Sequence, residues 1–165
     1  TVFYIREEAG QSALKSRELE SGEEKELYRS PKPARFRLLA ASPDGSLLAF
    51  AAREDTKKPA EAIFLTQADG GKTQRILRAA RGGLLDIEWA PRGDHLLVST
   101  AGSPTPGLWR VSLQGDTPVQ LGLELKRRRG IRVRPDGKAI AYTAGSTRSE
   151  VWVLQNAVDR PNAAR

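Results

Sequence analysis

The chain has 165 residues, an apolar fraction of 39% and a formal net charge of +7. These values are typical of a globular chain with one ordinary core, and they exclude a fibrous, collagenous or largely disordered protein. No window approaches the roughly 18 consecutive apolar residues that a membrane-spanning helix needs, so no membrane contact is expected for this segment. The absence of cysteine excludes disulfides, thiolate metal ligands and a cysteine nucleophile.

The positive charge is unevenly distributed along the chain. Residues 1–71 contain 11 basic and 12 acidic side chains, whereas residues 72–165 contain 16 basic and 8 acidic ones. Such asymmetry fits either a polyanion-binding surface or charges that further parts of the protein balance. The absence of methionine, together with the apolar run Val2–Ile5 directly at the start, favours a segment of a longer chain.

The first segment, residues 1–35, has the least regular pattern. Three strands are predicted there, over Val2–Ile5, Leu14–Glu20 and Lys25–Tyr28, with a turn at Ser21-Gly22. The alternative is a helix over Ser12–Tyr28, because Glu and Lys favour helices. We prefer the strands because this turn lies where the repeat found in the rest of the chain would place one.

A turn motif recurs three times in the rest of the chain. The copies are Ser42-Pro43-Asp44-Gly45, Ala90-Pro91-Arg92-Gly93 and Arg134-Pro135-Asp136-Gly137. Proline presets φ for the first central turn position, and glycine tolerates the positive φ that such a turn requires. The prolines are 48 and 44 residues apart, a period typical of one four-stranded propeller blade.

Two strands flank each copy of the turn. The preceding strands are predicted over Phe36–Ala41, Leu84–Ala90 and Ile131–Val133. After each turn, apolar residues recur with the two-residue period of a strand, and the intervening residues are apolar too. The aligned sets are Leu48, Leu96 and Ile140; Ala49, Leu97 and Ala141; and Phe50, Val98 and Tyr142. Strands that are apolar on both faces must be covered on both faces, as they are when sheets stack.

A third and a fourth strand complete each repeat. The third strands align without gaps at Ile63–Leu65, Leu108–Arg110 and Val151–Val153. Turns at Asp69-Gly70 and Gln114-Gly115 lead to short, more polar fourth strands over Gln74–Leu77 and Val119–Leu121, as expected of outer edges. The expected fold class is therefore all-β, with four-stranded antiparallel β-propeller blades, about 3.5 to 4 of them, forming a partial propeller.

These motifs resemble the WD-repeat-like blades of the TolB, tricorn protease and dipeptidyl peptidase IV propellers. The resemblance is good over residues 36–155 and loose over the first 35. Arg92 departs from the pattern by replacing the turn aspartate, and Arg134 by replacing the small residue before proline. The expected units are 1–35 (partial blade, strands two to four), 36–80 and 81–124 (full blades), 125–156 (partial blade, strands one to three) and 157–165 (disordered tail).

The open ends of such an arc would leave apolar blade faces exposed to water. Either further blades of the full-length protein cover them, or two copies pair through these ends. We favour a homodimer that completes the ring over an open arc.

No catalytic, metal or cofactor site is expected. His95 is the only histidine and lies just after a turn, which favours a structural role. No Gly-x-Ser-x-Gly nucleophile elbow and no glycine-rich phosphate loop occurs. Asp44 and Asp136 lack the spaced carboxylates of a calcium loop, so we assign them to turn hydrogen bonds. The tripeptide Arg92-Gly93-Asp94 could be read as an adhesion signal, but its place in the repeated turn is sufficient to explain it.

The basic run before the third turn is the candidate partner-binding site. It comprises Lys126, Arg127, Arg128, Arg129, Arg132 and Arg134. The residues from Lys126 to Arg129 are predicted to link two blades, and Arg132 to lie on an innermost strand that lines the channel, where Glu88 holds the equivalent place one blade earlier. Arginine offers forked donors to carboxylates and phosphates. The alternative is a simply solvated charge run.

Nucleic-acid binding is not predicted. Trp89, Trp109 and Trp152 occupy repeat positions on strands and are assigned to blade packing, not to base stacking. The leading hypothesis is a non-catalytic module that presents loops and a channel mouth to a protein or peptide. The resemblance implies a sensor domain of a bacterial regulator or kinase, or the gating propeller of a serine peptidase; a third hypothesis is polyanion binding. The family resemblance also favours a periplasmic or other extracytoplasmic location, although a cytoplasmic location is an alternative.

Overall fold

The computed structural model describes residues 1–30, 34–54, 61–78, 83–101, 106–122 and 129–143, without the side chains of Glu54 and Arg129. The described residues contain strands and turns but no helix. A helix that could cross a membrane is therefore not found among them. The helix considered for Ser12–Tyr28 does not form, and strands occupy that segment as predicted.

Four antiparallel sheets follow one another along the described part of the chain. Sheet 1 has three strands in the order β1-β2-β3, sheet 2 has four in the order β4-β5-β6-β7, sheet 3 has the order β8-β9-β10-β11, and sheet 4 pairs β12 with β13. The strands of sheets 1 and 2 are β1 (Val2–Glu8), β2 (Gln11–Arg17), β3 (Glu24–Arg29), β4 (Ala34–Ala41), β5 (Leu47–Glu54), β6 (Glu61–Gln67) and β7 (Gln74–Arg78). Those of sheets 3 and 4 are β8 (Leu84–Trp89), β9 (His95–Thr100), β10 (Gly107–Ser112), β11 (Val119–Gln120), β12 (Arg129–Val133) and β13 (Ile140–Thr143).

The repeated turn connects the innermost strand of each blade to the second strand, as the sequence predicts. Its glycines, Gly45, Gly93 and Gly137, all have φ between 70° and 74°. In the first copy, Asp44 accepts hydrogen bonds from the Ser42 hydroxyl (2.6 Å) and from the Ser46 N–H (3.1 Å). These bonds lower the pKa of Asp44 to about 2, with the Ser42 hydroxyl as the largest cause. The predicted role of the aspartate in the turn is confirmed.

Neighbouring sheets share hydrophobic cores, and the two faces of one strand pack against two different sheets. In β5, Ala49 and Ala51 pack toward sheet 3, whereas Leu48 and Phe50 pack toward sheet 1. In β9, Leu96 and Val98 face sheet 2, while Leu97 packs on Ile131 of sheet 4. All of these side chains are at most 5% exposed. The sheets are therefore stacked face to face in chain order, which is the arrangement of propeller blades.

Buried or partly buried side-chain oxygens join each sheet to the innermost strand of the next one. The Ser12 hydroxyl accepts the Phe36 N–H (3.0 Å), a Glu61 carboxylate oxygen accepts the Leu84 N–H, and Asp86 accepts the Ile131 N–H (2.7 Å). An innermost strand has a free edge, so its N–H groups need partners other than a neighbouring strand. These contacts provide such partners and fix the position of one blade relative to the next.

The outer face of sheet 1 is charged, contrary to the apolar open end that the sequence leads us to expect. Four basic and three acidic side chains lie on this face in a network of ion pairs with N···O distances between 2.6 and 3.8 Å. They are Arg6, Lys15, Arg17, Arg29, Glu8, Glu24 and Glu26. The guanidinium of Arg29 is the largest cause of the lowered pKa values of Glu8 and Glu26. A polar outer face of this kind is typical of terminal repeats and does not by itself require a covering sheet.

The remaining sequence predictions fall partly outside the described residues. The third strand expected at Val151–Val153, Trp152 and the tail over 157–165 cannot be compared with the structure. The first predicted unit ends at residue 35, whereas β4 of sheet 2 already begins at Ala34. The predicted pairing of two copies stays a prediction.

Candidate functional site

A cavity of about 520 Å³ lies where the innermost strands of sheets 2, 3 and 4 come together, at the end of the strands that carries the repeated turns. Its apolar lining includes the three turn prolines and side chains of all three innermost strands. These residues are Leu38, Ala40, Pro43, Ile87, Trp89, Pro91, Val133 and Pro135. The charged residues that line it are Asp86, Glu88 and Arg132.

An irregular backbone in the innermost strands shapes this cavity. The pairing register of β4, β8 and β12 with the second strand shifts in each blade. Leu38 has φ of 56° and Gly130 has φ of 63°, and both lie five residues before the turn proline. A left-handed conformation costs a non-glycine residue about 1–2 kcal/mol, so Leu38 is held there by its surroundings. Strained residues of this kind are concentrated at functional sites, and Leu38 lines the cavity.

Trp89 fixes the wall between sheets 2 and 3. Its side chain is 5% exposed, and its indole Nε1 donates a hydrogen bond to the Ala40 carbonyl oxygen at 3.0 Å. Trp109 packs against the same core but bonds elsewhere, through Nε1 to the Thr100 hydroxyl oxygen at 3.2 Å. Both tryptophans therefore belong to the core between sheets 2 and 3, in agreement with the predicted role in blade packing.

Glu88 and Arg132 lie side by side in the cavity lining. Arg132 Nη1 lies 3.4 Å from Glu88 Oε2, and the arginine side chain is 67% exposed, against 24% for the glutamate. Burial raises the pKa of Glu88, and the charge of Arg132 partly offsets this effect. Both residues lie three positions before the turn proline, on innermost strands, and both line this cavity. That Arg132 lines a central channel stays a prediction.

Asp86 occupies the same wall but has its oxygens engaged. Oδ1 accepts the Ile87 N–H at 3.0 Å, and Oδ2 accepts the Ile131 N–H at 2.7 Å. Its charge also contributes to the raised pKa of Glu88. Asp86 is not among the residues predicted for this site; the sequence signal for it is a carboxylate two residues before Glu88, on the same face of β8.

The six basic candidates do not come together as one anion site in the described residues. Lys126, Arg127 and Arg128 lie outside the described residues. Arg129 begins β12 and pairs with Thr143, so it belongs to the strand and not to the predicted link. Arg132 is beside Glu88, and Arg134 Nε is 2.8 Å from Asp136. The described arginines with visible side chains are therefore already beside carboxylates, which weakens them as receptors for a free anion.

His95 is the remaining side chain that the sequence analysis considered for chemistry. His95 Nδ1 is 2.8 Å from an oxygen of the exposed Asp94, at the end of the second turn. Among the described residues, no group of three or more His, Cys, Asp or Glu side chains could hold a metal ion. The absence of catalysis stays a prediction.

Comparison with known proteins relates the chain to TolB by sequence. The chain is 29% identical over 92 residues to the Tol-Pal system protein TolB of Anaeromyxobacter dehalogenans strain 2CP-C. The match covers 55% of this chain and 21% of that protein, so the chain spans about a fifth of the relative's length. No protein-family profile matches the chain.

Solved structures agree on the fold. TolB from Acinetobacter baumannii superimposes with a TM-score of 0.69 at 16% identity, covering 89% of this chain and 35% of that one. An oligogalacturonate lyase in complex with manganese gives a TM-score of 0.67 at 16% identity, covering 85% of this chain and 43% of that one. At such identities these structures define the fold alone. The chain is therefore similar to TolB in sequence, and it has the fold of β-propeller blades that these solved structures share.

Proposed function

We propose that the chain is a non-catalytic propeller module that binds a segment of a protein or peptide partner in the cavity between β4, β8 and β12. The observation that carries this proposal is the cavity itself. Its volume of about 520 Å³ lies within the range of about 300–1,000 Å³ that is typical of ligand sites. Its lining combines apolar side chains with polar and charged groups, which together present about equal apolar and polar surface.

An extended peptide suits the walls of this cavity. β4, β8 and β12 are edge strands of their sheets, so backbone N–H and C=O groups point toward the channel. Edge strands recognise extended peptides through main-chain hydrogen bonds, while neighbouring pockets select the side chains. The relationship to a protein of the Tol-Pal system supports a protein partner. A sensing role in a regulator and a gating role beside a peptidase would both use this surface.

The test selects peptides from a random phage-displayed library on the immobilised chain and measures their affinity by calorimetry. Arg132→Trp fills the cavity mouth from an exposed position on β12. The matched control is Arg110→Trp, which changes an exposed arginine on β10, outside the cavity lining. We expect Arg132→Trp to weaken binding at least tenfold, whereas Arg110→Trp leaves it unchanged.

Two results would contradict the proposal. One is that no peptide is enriched over an uncoated surface. The other is that the selected peptides bind both tryptophan variants as tightly as they bind the original chain.

A further inference from the structure

We propose that the cavity selects a lysine or arginine side chain of the bound peptide, with the Glu88 carboxylate as its acceptor. This inference rests on the proposed function and specifies the chemical class of the peptide side chain that enters the cavity. It is opposite in sign to the anion site that the basic run in the sequence suggests.

The charge of the lining favours a cation. Among the described residues that line the cavity, two are carboxylates, Asp86 and Glu88, and one is a guanidinium, Arg132. These three side chains together carry a charge of −1, although the whole chain carries +7. A cation that enters such a concave site meets an attractive potential, which low-dielectric walls strengthen.

Glu88 is the carboxylate with free acceptor capacity. The oxygens of Asp86 already accept two backbone N–H groups, from Ile87 and Ile131. Glu88 accepts a backbone hydrogen bond from Val133 and faces Arg132 at 3.4 Å. An ionised carboxylate offers about four acceptor positions, so room remains for an incoming ammonium or guanidinium group.

Arg132 is a weak internal competitor for that position. Its side chain is 67% exposed, and the same Nη1 atom donates a shorter hydrogen bond of 2.6 Å to the Ile131 carbonyl oxygen. An exposed ion pair of this length contributes little, so a partner's cation can displace it at little cost. The guanidinium can then turn to water while it keeps its backbone hydrogen bond.

The apolar lining suits the stem of a basic side chain. Lysine and arginine carry three or four methylene groups that pack on apolar surface while the charged end seeks a polar partner. Pro91, Pro135 and Val133 line the same cavity as Glu88. A basic side chain therefore matches both the apolar and the charged part of this lining, whereas a carboxylate would be repelled by Asp86 and Glu88.

The test follows the side-chain carboxyl carbon of Glu88 by NMR while a capped amino acid is added to the full chain. The probes are N-acetyl-lysine N-methylamide and the neutral, equally long N-acetyl-norleucine N-methylamide. We expect the lysine probe to shift the Glu88 signal saturably and to lower the pKa of Glu88, and the norleucine probe to bind about fivefold more weakly. Magnesium chloride at matched ionic strength distinguishes an organic cation from inorganic charge.

Variants identify the acceptor. Glu88→Gln should weaken binding of the lysine probe about fivefold, followed through the amide signals of β8. Arg132→Gln should tighten binding by a smaller factor, about twofold, because the ion pair that it removes contributes little. Glu7→Gln, an exposed position outside the cavity lining, is the matched control and should change nothing. Any of three results overturns the inference: the lysine and norleucine probes bind equally well, magnesium shifts the Glu88 signal as much as the lysine probe does, or the lysine probe binds Glu88→Gln as tightly as the original chain. If the library peptides remain sensitive to Arg132→Trp in that case, the proposed function stands without it.

Discussion

Glu61 provides the sharpest test of how consecutive blades are joined. Its side chain is only 8% exposed; Oε1 lies 3.0 Å from Arg37 Nε, and Oε2 accepts the Leu84 N–H. Arg37 in turn donates to the Leu84 carbonyl oxygen. The two side chains of sheet 2 thus satisfy both backbone groups of the first residue of β8. Leu84 itself is fully buried, so water cannot replace Glu61 there.

Glu61→Ala leaves the buried Leu84 N–H without a partner, which costs about 1–3 kcal/mol. The loss of the ion pair with Arg37, which is 48% exposed, adds up to about 1 kcal/mol. We therefore expect a loss of about 1–4 kcal/mol in the free energy of unfolding. Glu61→Gln keeps an acceptor for the N–H and should lose about half as much.

The assay is urea unfolding followed by tryptophan fluorescence at neutral pH. Glu7→Ala, an exposed substitution, is the control and should stay within about 0.5 kcal/mol of the original chain. The reasoning is refuted if Glu61→Ala also stays within that limit, or if Glu61→Gln is as damaging as Glu61→Ala.

Three further predictions concern the turns and the cavity. Gly45→Ala and Gly93→Ala should each lower the free energy of unfolding by about 1–2 kcal/mol, because both positions have φ near 70°. An added Cβ meets nothing closer than 3.6 Å at either position, so backbone strain is the only cost and the two losses should be equal. Unequal losses in urea unfolding would contradict this. The lowered pKa of Asp44 means that its ionised form stabilises the fold above pH 3.8 and that this contribution disappears as pH falls to about 2. The stability difference between the original chain and Asp44→Asn, measured by urea unfolding, should therefore shrink over that range; a constant difference would argue against the turn bonds. Arg132→Gln should raise the pKa of Glu88 further, as measured by carbon NMR of the carboxyl group, and a lower or unchanged pKa would remove the ion pair from the account.

The sequence predicts the blades well where local chemistry determines the backbone. The Pro-x-Gly turns and the doubly apolar strands predict β5 and β9, because a strand that is apolar on both faces is stable only between two sheets. Sheet 1 was less certain because its charged residues also suit a helix. The structure shows that Lys15 and Arg17 form ion pairs across strands, with Glu8 and Glu24, which a helical pattern cannot indicate.

The candidate site depends on contacts that the sequence does not encode locally. A glycine at the equivalent position 130 indicates a positive φ, but Leu38 has the same backbone conformation without a glycine to indicate it in the sequence. The carboxylates of Asp86 and Glu61 accept hydrogen bonds from backbone N–H groups of a different sheet. These partners are distant in sequence and come together only because the blades stack. The basic run predicts a surface of positive charge, whereas in the folded chain Arg132 lies beside Glu88 in a cavity that Asp86 also lines.

The most direct test of the central claim observes the indole N–H signals of the chain while a library-selected peptide is added. The Trp89 indole is bonded to Ala40 at the cavity wall, whereas the Trp109 indole is bonded to Thr100 and does not line the cavity. We predict that the Trp89 signal shifts with the same affinity that calorimetry gives, and that the Trp109 signal stays in place. A shift of Trp109 with an unchanged Trp89 would place the partner elsewhere on the blades and contradict the account.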